Sequence, residues 1–317
     1  MKTLIGIDIG GTKCAVVRGD AAGQVMEKVR FETTSCEETL KRILAETERL
    51  ANGAAAIGIS CGGPLDERRG VIMAPPNLPD WENVPITAML QEKLRLPTAL
   101  RNDANACALA EWMYGAGRGT QNMAFMTFGT GLGAGLILNG RLYSGTSGMA
   151  GEVGHWRLAP HGPAGYGKCG SFEGFCSGSG LWELGRGLAR EYLQRGEIPA
   201  FIKDNDYSAF TVAELADAAR GGDPCACEAF SICGEHLGRG LAMMADILDP
   251  EVIVIGSVYA RCRDLLEAPA LTAMHRECLP QIAKSCRIKP AELGERIGDV
   301  AALAVAAGAL QEKENLS

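Results

Sequence analysis

The segment Thr3-Leu-Ile-Gly-Ile-Asp-Ile-Gly-Gly-Thr-Lys13, continued by Cys14-Ala-Val-Val17, decides the fold. Apolar and small residues alternate from Thr3 to Ile9, break at Gly10-Gly11 and resume at Cys14, which predicts two strands joined by a glycine turn. A second turn near Asp20-Ala-Ala-Gly23 leads to a third run, Val25 to Phe31. Glu37 to Asn52 then places Leu40, Ile43, Leu44, Thr47 and Leu50 at helical spacing. Ala55 to Ile59 reads as a buried strand ending at Gly62-Gly63. The order β-β-β-α-β predicts an α/β fold.

The theme returns further along. Asn122 to Thr127 and Gly133 to Leu138 read as strands around Gly129-Thr-Gly131, and Arg141 to Ser144 as a short third. Ala229 to Leu248 reads as a long amphipathic helix and Glu251 to Ile255 as a strand ending at Gly256. The two halves form a weak internal duplication, with Gly115 to Gln121 as a natural boundary. We expect an N-terminal α/β domain over 1–117, completed by a C-terminal helix over 300–317, and a second α/β domain over 118–299.

The chain has 317 residues, 47% hydrophobic and 22% charged, enough for a buried core in two domains. Its net charge of −7 argues against a duplex nucleic-acid surface. The apolar run at the N-terminus stops at Asp8, too short for a signal peptide, and no stretch approaches a membrane span. The twelve cysteines therefore read as reduced thiols in the cytoplasm, with Cys14, Cys61 and Cys107 as small buried hydrophobes.

Several residues carry candidate chemistry. Gly10-Gly-Thr12 and Gly129-Thr-Gly131 let backbone N–H groups approach a phosphate; each is equally an ordinary hairpin turn. Asp8 stands where a carboxylate holds Mg²⁺ through water or caps a turn. Asn102 and Asp103 follow a strand at Thr98 to Leu100 and precede a helix at Ala104 to Tyr114. Asp103 can accept the proton of an attacking hydroxyl, or cap the helix. Glu152 and His155 in Gly151-Glu-Val-Gly-His155, together with Glu173, suit the adjacent hydroxyls of a sugar, or are simply solvated loop residues. The polar loops Gly62-Gly-Pro64 and Pro75-Pro-Asn77 complete the candidates.

Taken together, Asp8-Ile-Gly-Gly-Thr-Lys13, Gly62-Gly-Pro64, Pro76-Asn-Leu-Pro79, Asn102-Asp-Ala-Asn105, Phe128-Gly-Thr-Gly-Leu-Gly133, Gly151-Glu-Val-Gly-His155, Leu237-Gly-Arg-Gly240 and Asp249-Pro-Glu-Val-Ile-Val-Ile-Gly256 resemble the ROK sugar kinases. These glucokinase-like and N-acetylhexosamine-kinase-like enzymes belong to the actin-like ATPase superfamily. The resemblance implies an α/β, two-domain actin-like ATPase (ribonuclease H-like) fold with a cleft between the domains. It implies MgATP as phosphoryl donor and a small sugar as acceptor, a hexose such as glucose at its 6-hydroxyl. Asp103 becomes the general base. Gly63, Asn77, Asn102, Asp103, Glu152, His155 and Glu173 become the sugar site. Asp8, Gly10, Gly11, Thr12, Lys13, Gly129, Thr130, Gly131 and Gly256 become the nucleotide site, with Asp8 holding Mg²⁺ through water. A cytoplasmic homodimer without nucleic-acid or membrane partners is implied.

The chain departs from the family in two places. Gly256-Ser257-Val258 stands where the family often has two or three glycines. The family's zinc cysteines fall on Ala164, Tyr166 and Ser171, so no structural zinc is expected; Cys169 and Cys176 lie outside the register. Tyr166, Phe172 and Phe175 are the expected apolar replacements for the ion. The alternative activity is that of a non-catalytic sugar-sensing regulator of the same family without a DNA-binding domain, against which the retention of Asp8, Lys13 and Asp103 speaks. The family's repressors carry a helix-turn-helix ahead of the first phosphate loop, for which this chain is expected to leave no room.

Overall fold

The computed structural model describes residues 2–203 and 206–314. Positions 1 and 315–317 of the expected N-terminal domain and C-terminal helix lie outside them. The chain divides into two compact units. The first comprises residues 1–121, 135–150 and 292–317; the second comprises 122–134 and 151–291. Residues 135–150, placed by the sequence in the second domain, thus group with the first.

The first unit opens with β1 (Thr3–Ile9), β2 (Lys13–Asp20) and β3 (Val25–Glu32), then α1 (Cys36–Leu50) and β4 (Ala54–Cys61). A small hairpin of β5 (Leu65–Asp66) and β6 (Val71–Ile72) leads to α2 (Ile86–Leu94), β7 (Thr98–Asn102) and α3 (Asp103–Tyr114). The sheet order is β3-β2-β1-β4-β7; β1, β2 and β3 are antiparallel neighbours, while β4 and β7 extend the sheet in parallel. Ser35 caps α1, accepting from the Glu38 N–H at 3.4 Å, and α1 buries Thr39, Ile43, Thr47 and Leu50 at helical spacing. Alternation along β1 sends Ile5, Ile7 and Ile9 into a core with Ile43, Leu50, Ile57, Ile59 and Leu100. Leu4 joins Val17, Ala56, Leu303, Ala306 and Ala307 on the opposite face.

The second sheet runs β10-β9-β8-β13-β14, made of β8 (Met123–Phe128), β9 (Leu132–Leu138), β10 (Arg141–Tyr143), β13 (Val252–Ile255) and β14 (Arg287–Pro290). β13 lies parallel between β8 and β14, and all its residues are buried. Between these strands come the hairpin β11 (Ala164–Gly165) and β12 (Lys168–Cys169), then α4 (Phe172–Phe175), α5 (Gly178–Gln194) and α6 (Val212–Arg220). α7 (Pro224–Leu248) follows, and α8 (Val258–Arg261), α9 (Arg263–Glu277), α10 (Pro280–Ser285) and α11 (Ile297–Glu314) complete the order. α7 starts five residues before the apolar pattern suggests, because Asp223 caps it and Pro224 occupies its first turn. The fold is α/β, with the same strand plan in each sheet: an antiparallel meander extended by parallel strands.

Cys14 and Cys61 are buried, Cys107 only partly so, and all twelve thiols are free. Burial pushes the Cys61 thiol far above its ordinary value, so it is inert as a nucleophile. Among the described residues no helix is long and apolar enough to cross a membrane.

α11 belongs to the first unit and lies on β1, β4 and α3. Gly6 and Gly58 make that approach possible. A Cβ on Gly6 would meet the Ala302 Cβ at 2.9 Å, and one on Gly58 would enter the Ala302 carbonyl and the Ala306 amide. Gly58→Ala must therefore lift α11 off the sheet. We expect a loss of about 3 kcal/mol or more in unfolding free energy, the upper range for overpacking, because backbone rather than a rotamer is in the way. Urea unfolding checks this; a loss below about 1 kcal/mol would show that α11 has room to move.

Candidate active site

In the first unit the candidate residues gather at the carboxyl edge of the sheet, where open α/β sheets bind ligands. Ile9 pairs with Cys61, and Cys61 with Asn102, so three parallel strands end in line. The Gly10–Thr12 turn is closed by the Gly10 N–H donating to the Lys13 carbonyl at 3.1 Å. The Thr33 hydroxyl donates to the Gly10 carbonyl at 2.6 Å. Thr12 and Lys13 are exposed. Asn77 lies against this turn: a Cβ on Gly11 would meet the Asn77 carbonyl oxygen at 2.6 Å and its Cβ at 2.7 Å. A Cβ on Gly63 would sit 3.4 Å from the Asn102 Nδ2. The structure thus brings Gly11 to Asn77 and Gly63 to Asn102.

Asn102, not Asp103, is the cap of α3, its Oδ1 accepting from the Ala104 N–H at 2.9 Å. Asp103 occupies the first helical position and accepts from the same N–H at 2.8 Å. It keeps contact with solvent, yet the protein packed around it pushes its carboxyl above the ordinary range, an effect its backbone hydrogen bonds oppose. Asp8 points to the α11 face of β1, and a Cβ on Gly298 would lie 2.8 Å from its Oδ2. Burial, then the charges of Asp299 and Asp103, push the Asp8 carboxyl up to about 6; Lys28 and Arg30 pull the other way. Surplus negative charge at Asp8 suits a hydrated divalent cation, so Mg²⁺ fits there through water.

The second unit carries its own glycine turn. The Gly129 N–H donates to the Gly131 carbonyl at 3.1 Å, and the Gly133 N–H donates to the Thr127 hydroxyl at 3.0 Å. Glu173 is fixed beside it, its Oε2 accepting from the Leu132 N–H at 3.0 Å. A Cβ on Gly131 would sit 2.8 Å from that oxygen, and one on Gly154 3.3 Å from the Glu173 Cβ. Glu152 is exposed just before the short 3₁₀ turn Val153–His155. His155 packs edge-on against Tyr166, with ring centroids 5.0 Å apart.

The loop behind His155 is built without thiols at Ala164, Tyr166 and Ser171. The Ser171 hydroxyl accepts from the Gly165 and Gly174 N–H groups, both at 3.1 Å. The Lys168 ammonium donates to the His155 carbonyl at 2.8 Å, and Arg157 to the Cys169 carbonyl at 2.7 Å. Phe172 and Phe175 are buried as expected, but Tyr166 is 77% exposed. It sits at a hairpin tip with φ +48°, which turns it outward, so Tyr166 is not part of the apolar filling. Cys176 is buried, its thiol donating to the Cys233 carbonyl, and Cys169 is exposed. Among the described residues no three His, Cys, Asp or Glu side chains are placed to hold a metal ion.

A pocket of about 760 Å³ in this unit is lined by Gly129, Thr130, Gly178, Ser179, Trp182, Glu183, Ser257, Val258 and Arg261. It joins the glycine turn to the first turn of α5 and to the residues after Gly256. The Gly178 N–H donates to the Gly129 carbonyl at 2.7 Å, tying α5 to the turn. The first turn of a helix of this length favours an anion. Ser257 has φ +56° and ψ −115°, a conformation suited to glycine, so the departure at Gly256-Ser257-Val258 leaves a strained backbone in place of a relaxed one. The sequence reading missed Trp182, Arg261 and the start of α5; the cap Ser177, whose hydroxyl accepts from the Gly180 N–H at 2.9 Å, was the available signal.

A family model described as the ROK family matches residues 4–309. The glucokinase of Streptomyces coelicolor is 32% identical over 273 residues, covering 85% of this chain and 86% of that protein. The crystal structure of a ROK family glucokinase from Streptomyces griseus, in complex with glucose and AMPPNP, is 30% identical with a TM-score of 0.77; the match covers 96% of this chain and 99% of that one. A xylose repressor of Caldicellulosiruptor bescii is 29% identical over 266 residues, 80% of this chain and 65% of that protein.

The Asp8 environment generates a prediction. Its folded carboxyl binds the proton more tightly than the unfolded value of 3.8, near 6. The resulting stabilisation is present below pH 3.8 and is lost as pH rises through 6, a difference of about 3 kcal/mol. Asp8→Asn removes the ionisation. Unfolding titrations of ligand-free protein should show the variant more stable than the parent at pH 8, with the advantage shrinking towards pH 4. A variant no more stable at pH 8 would show that the Asp8 charge is already compensated.

Proposed function

The chain belongs to the ROK family, and from that membership we propose that it is a sugar kinase which transfers the terminal phosphoryl group of ATP to a hexose, at the 6-hydroxyl, with Asp103 as general base. The observation that carries the reading is Asp103 itself: an exposed carboxylate at the first position of α3, beside the end of β7, with its pKa raised. As the sugar oxygen bonds to the γ-phosphorus and ADP departs, the hydroxyl proton passes to the Asp103 carboxylate. The candidate ligands for sugar hydroxyls are Gly63, Asn77 and Asn102 in the first unit and, in the second considered by itself, Glu152, His155 and Glu173. The turns at Gly10–Lys13 and Gly129–Gly131 hold phosphates through backbone N–H groups, and Gly256 adjoins the nucleoside. Mg²⁺ would sit on Asp8 through water and offset phosphate charge. A cytoplasmic homodimer belongs to the same proposal.

The similarity to a repressor supports a second reading, a sugar sensor without chemistry. ADP release over a panel of sugars separates the two, because a sensor binds sugar and releases none.

Asp103→Asn keeps the shape and removes the base. We expect kcat to fall by about 10²–10⁴-fold, with sugar affinity nearly unchanged. Turnover close to the parent rate would remove Asp103 from the chemistry. Because the Asp103 pKa is raised, the acid limb of the parent's rate profile should lie above the ordinary aspartate range.

The loop behind His155 is proposed to be held by Ser171, Lys168, Arg157 and the two buried phenylalanines, without zinc. Protein purified without chelator should carry well under about one zinc per chain and melt at the same temperature in EDTA. Stoichiometric zinc, or a large loss of stability on chelation, would overturn this.

A further inference from the structure

Glu67 lies just beyond β5 and has no place in the roles assigned so far. Its side chain is only 7% exposed. The Oε1 accepts from the Asn102 N–H at 2.8 Å and from the Asn105 Nδ2 at 3.1 Å. The Oε2 accepts from the Ser144 hydroxyl at 3.2 Å and lies 4.0 Å from the Arg101 Nε. One carboxylate therefore spans the last residues of β7, the first turn of α3 and the residue after β10, and its partners flank Asp103 on both sides. Hydrogen bonds to an ionised acceptor are about twice as strong as neutral ones, and those buried away from water are screened least.

Asn105 shows how strongly this arrangement is imposed. It is 2% exposed, and its Oδ1 has no hydrogen-bond partner among the described residues. A buried carbonyl left unsatisfied is costly. Turning the amide over would set that oxygen against the Glu67 carboxylate, so the Nδ2 stays on Glu67 and the Oδ1 goes without. The same Nδ2 lies 3.5 Å from the Ser144 hydroxyl, itself a donor to Glu67.

We infer that Glu67 is a positioning residue that fixes the β7–α3 junction and thereby aims Asp103. The inference rests on the reading of Asp103 as the base. Glu67 itself touches no substrate. Its backbone acceptor role sets where α3 begins, and the first residue of α3 is Asp103. A shift of about 1 Å in a reacting group costs about 10²-fold in rate.

The test compares Glu67→Ala, Glu67→Asp and Glu67→Gln in the full chain, with kcat and KM measured per folded protein and amide exchange followed at Asn102. Glu67→Ala is expected to lower kcat by about 10²-fold, leave the KM for ATP unchanged and release the Asn102 amide to exchange. Glu67→Asp keeps the charge but shortens the reach, so it should behave like the alanine variant; it also serves if the alanine variant does not fold. Glu67→Gln can still accept from the Asn102 N–H and donate to Ser144, so its kcat should stay within about tenfold of the parent. A glutamine variant that loses as much as the alanine variant, beside an aspartate variant close to the parent, would show that charge, not position, matters, and would overturn the inference. So would folded Asp or Ala variants with parental kcat, whatever their melting temperatures. If the parent phosphorylates no sugar, the kinase reading fails and the clamp is judged by exchange alone: Asn102 protection unchanged in the alanine and aspartate variants would refute it.

Discussion

The close approach of α11 to β1 and β4 is the constraint on which the first unit depends. Gly6 and Gly58 leave no side chain between helix and sheet, and a Cβ on Gly19 would meet the Leu303 Cδ1 at 2.5 Å. Ala302, Leu303, Val305 and Ala306 then fill the seat with almost no exposed surface. The seat sets the helix axis, and the axis sets what stands at its N-terminal end. There Gly298 lies on the Asp8 carboxylate, and Asp299 reaches the Lys28 ammonium at 2.6 Å. A glycine in a strand costs stability through backbone entropy and lost packing. Here that cost is offset by burying a helix from the far end of the sequence against the first strand.

The same seat extends to α3, whose buried residues include Ala104, Ala106, Ala108 and Ala110 beside Asn105, Leu109 and Glu111. Glu111, fully buried, accepts from the Ala116 and Leu293 amides at 2.8 and 2.9 Å. Its carboxylate ties the end of α3 to the segment that leads into α11. The far end of the helix that presents Asp103 is therefore joined to the segment just ahead of the α11 end that abuts Asp8. Small residues along α3 and α11 allow the contact, and backbone N–H donors to one buried carboxylate fix its register.

How legible this was depends on the range of each interaction. β1, β2, β3, α1 and β4 were readable because alternation and helical spacing are local, and Ser35 and the glycines mark the ends. Asp8, Asn77, Asn102 and Asp103 could be picked out because each stands in a motif or at a strand end. α5 was hidden: Gly178, Gly180, Gly185 and Gly187 imitate a loop, although Gly180 must be small where it packs on the Gly174 carbonyl. Glu67 was invisible, since Asn102 is 35 residues away and Ser144 is 77 away. Tyr166 was misjudged because composition says an aromatic residue belongs inside, whereas a positive φ at a hairpin tip turns it out. Pairing across long sequence separations decides such residues, and no window of local sequence contains both partners.

Several of the local rules this chain breaks fall at the ends of parallel strands. In the first unit the partly buried Asp8 carboxylate, the Asp103 carboxyl with its raised pKa and the unpartnered Asn105 oxygen all lie at the carboxyl edge of one sheet. In the second unit Ser257, with its positive φ, follows the buried strand β13 after Gly256 and lines the pocket. Each is destabilising in isolation, and each is tolerated because a rigid neighbour determines it: Gly298 and β4 beside Asp8, Glu67 beside Asn105, the β8–β13 pairing before Ser257. A fold selected for stability alone would place an amide at Asp8 and glycine at Ser257. In each unit the charge or strain stands at the end of a parallel strand beside a glycine turn, where the proposed phosphate contacts and proton transfer would use it.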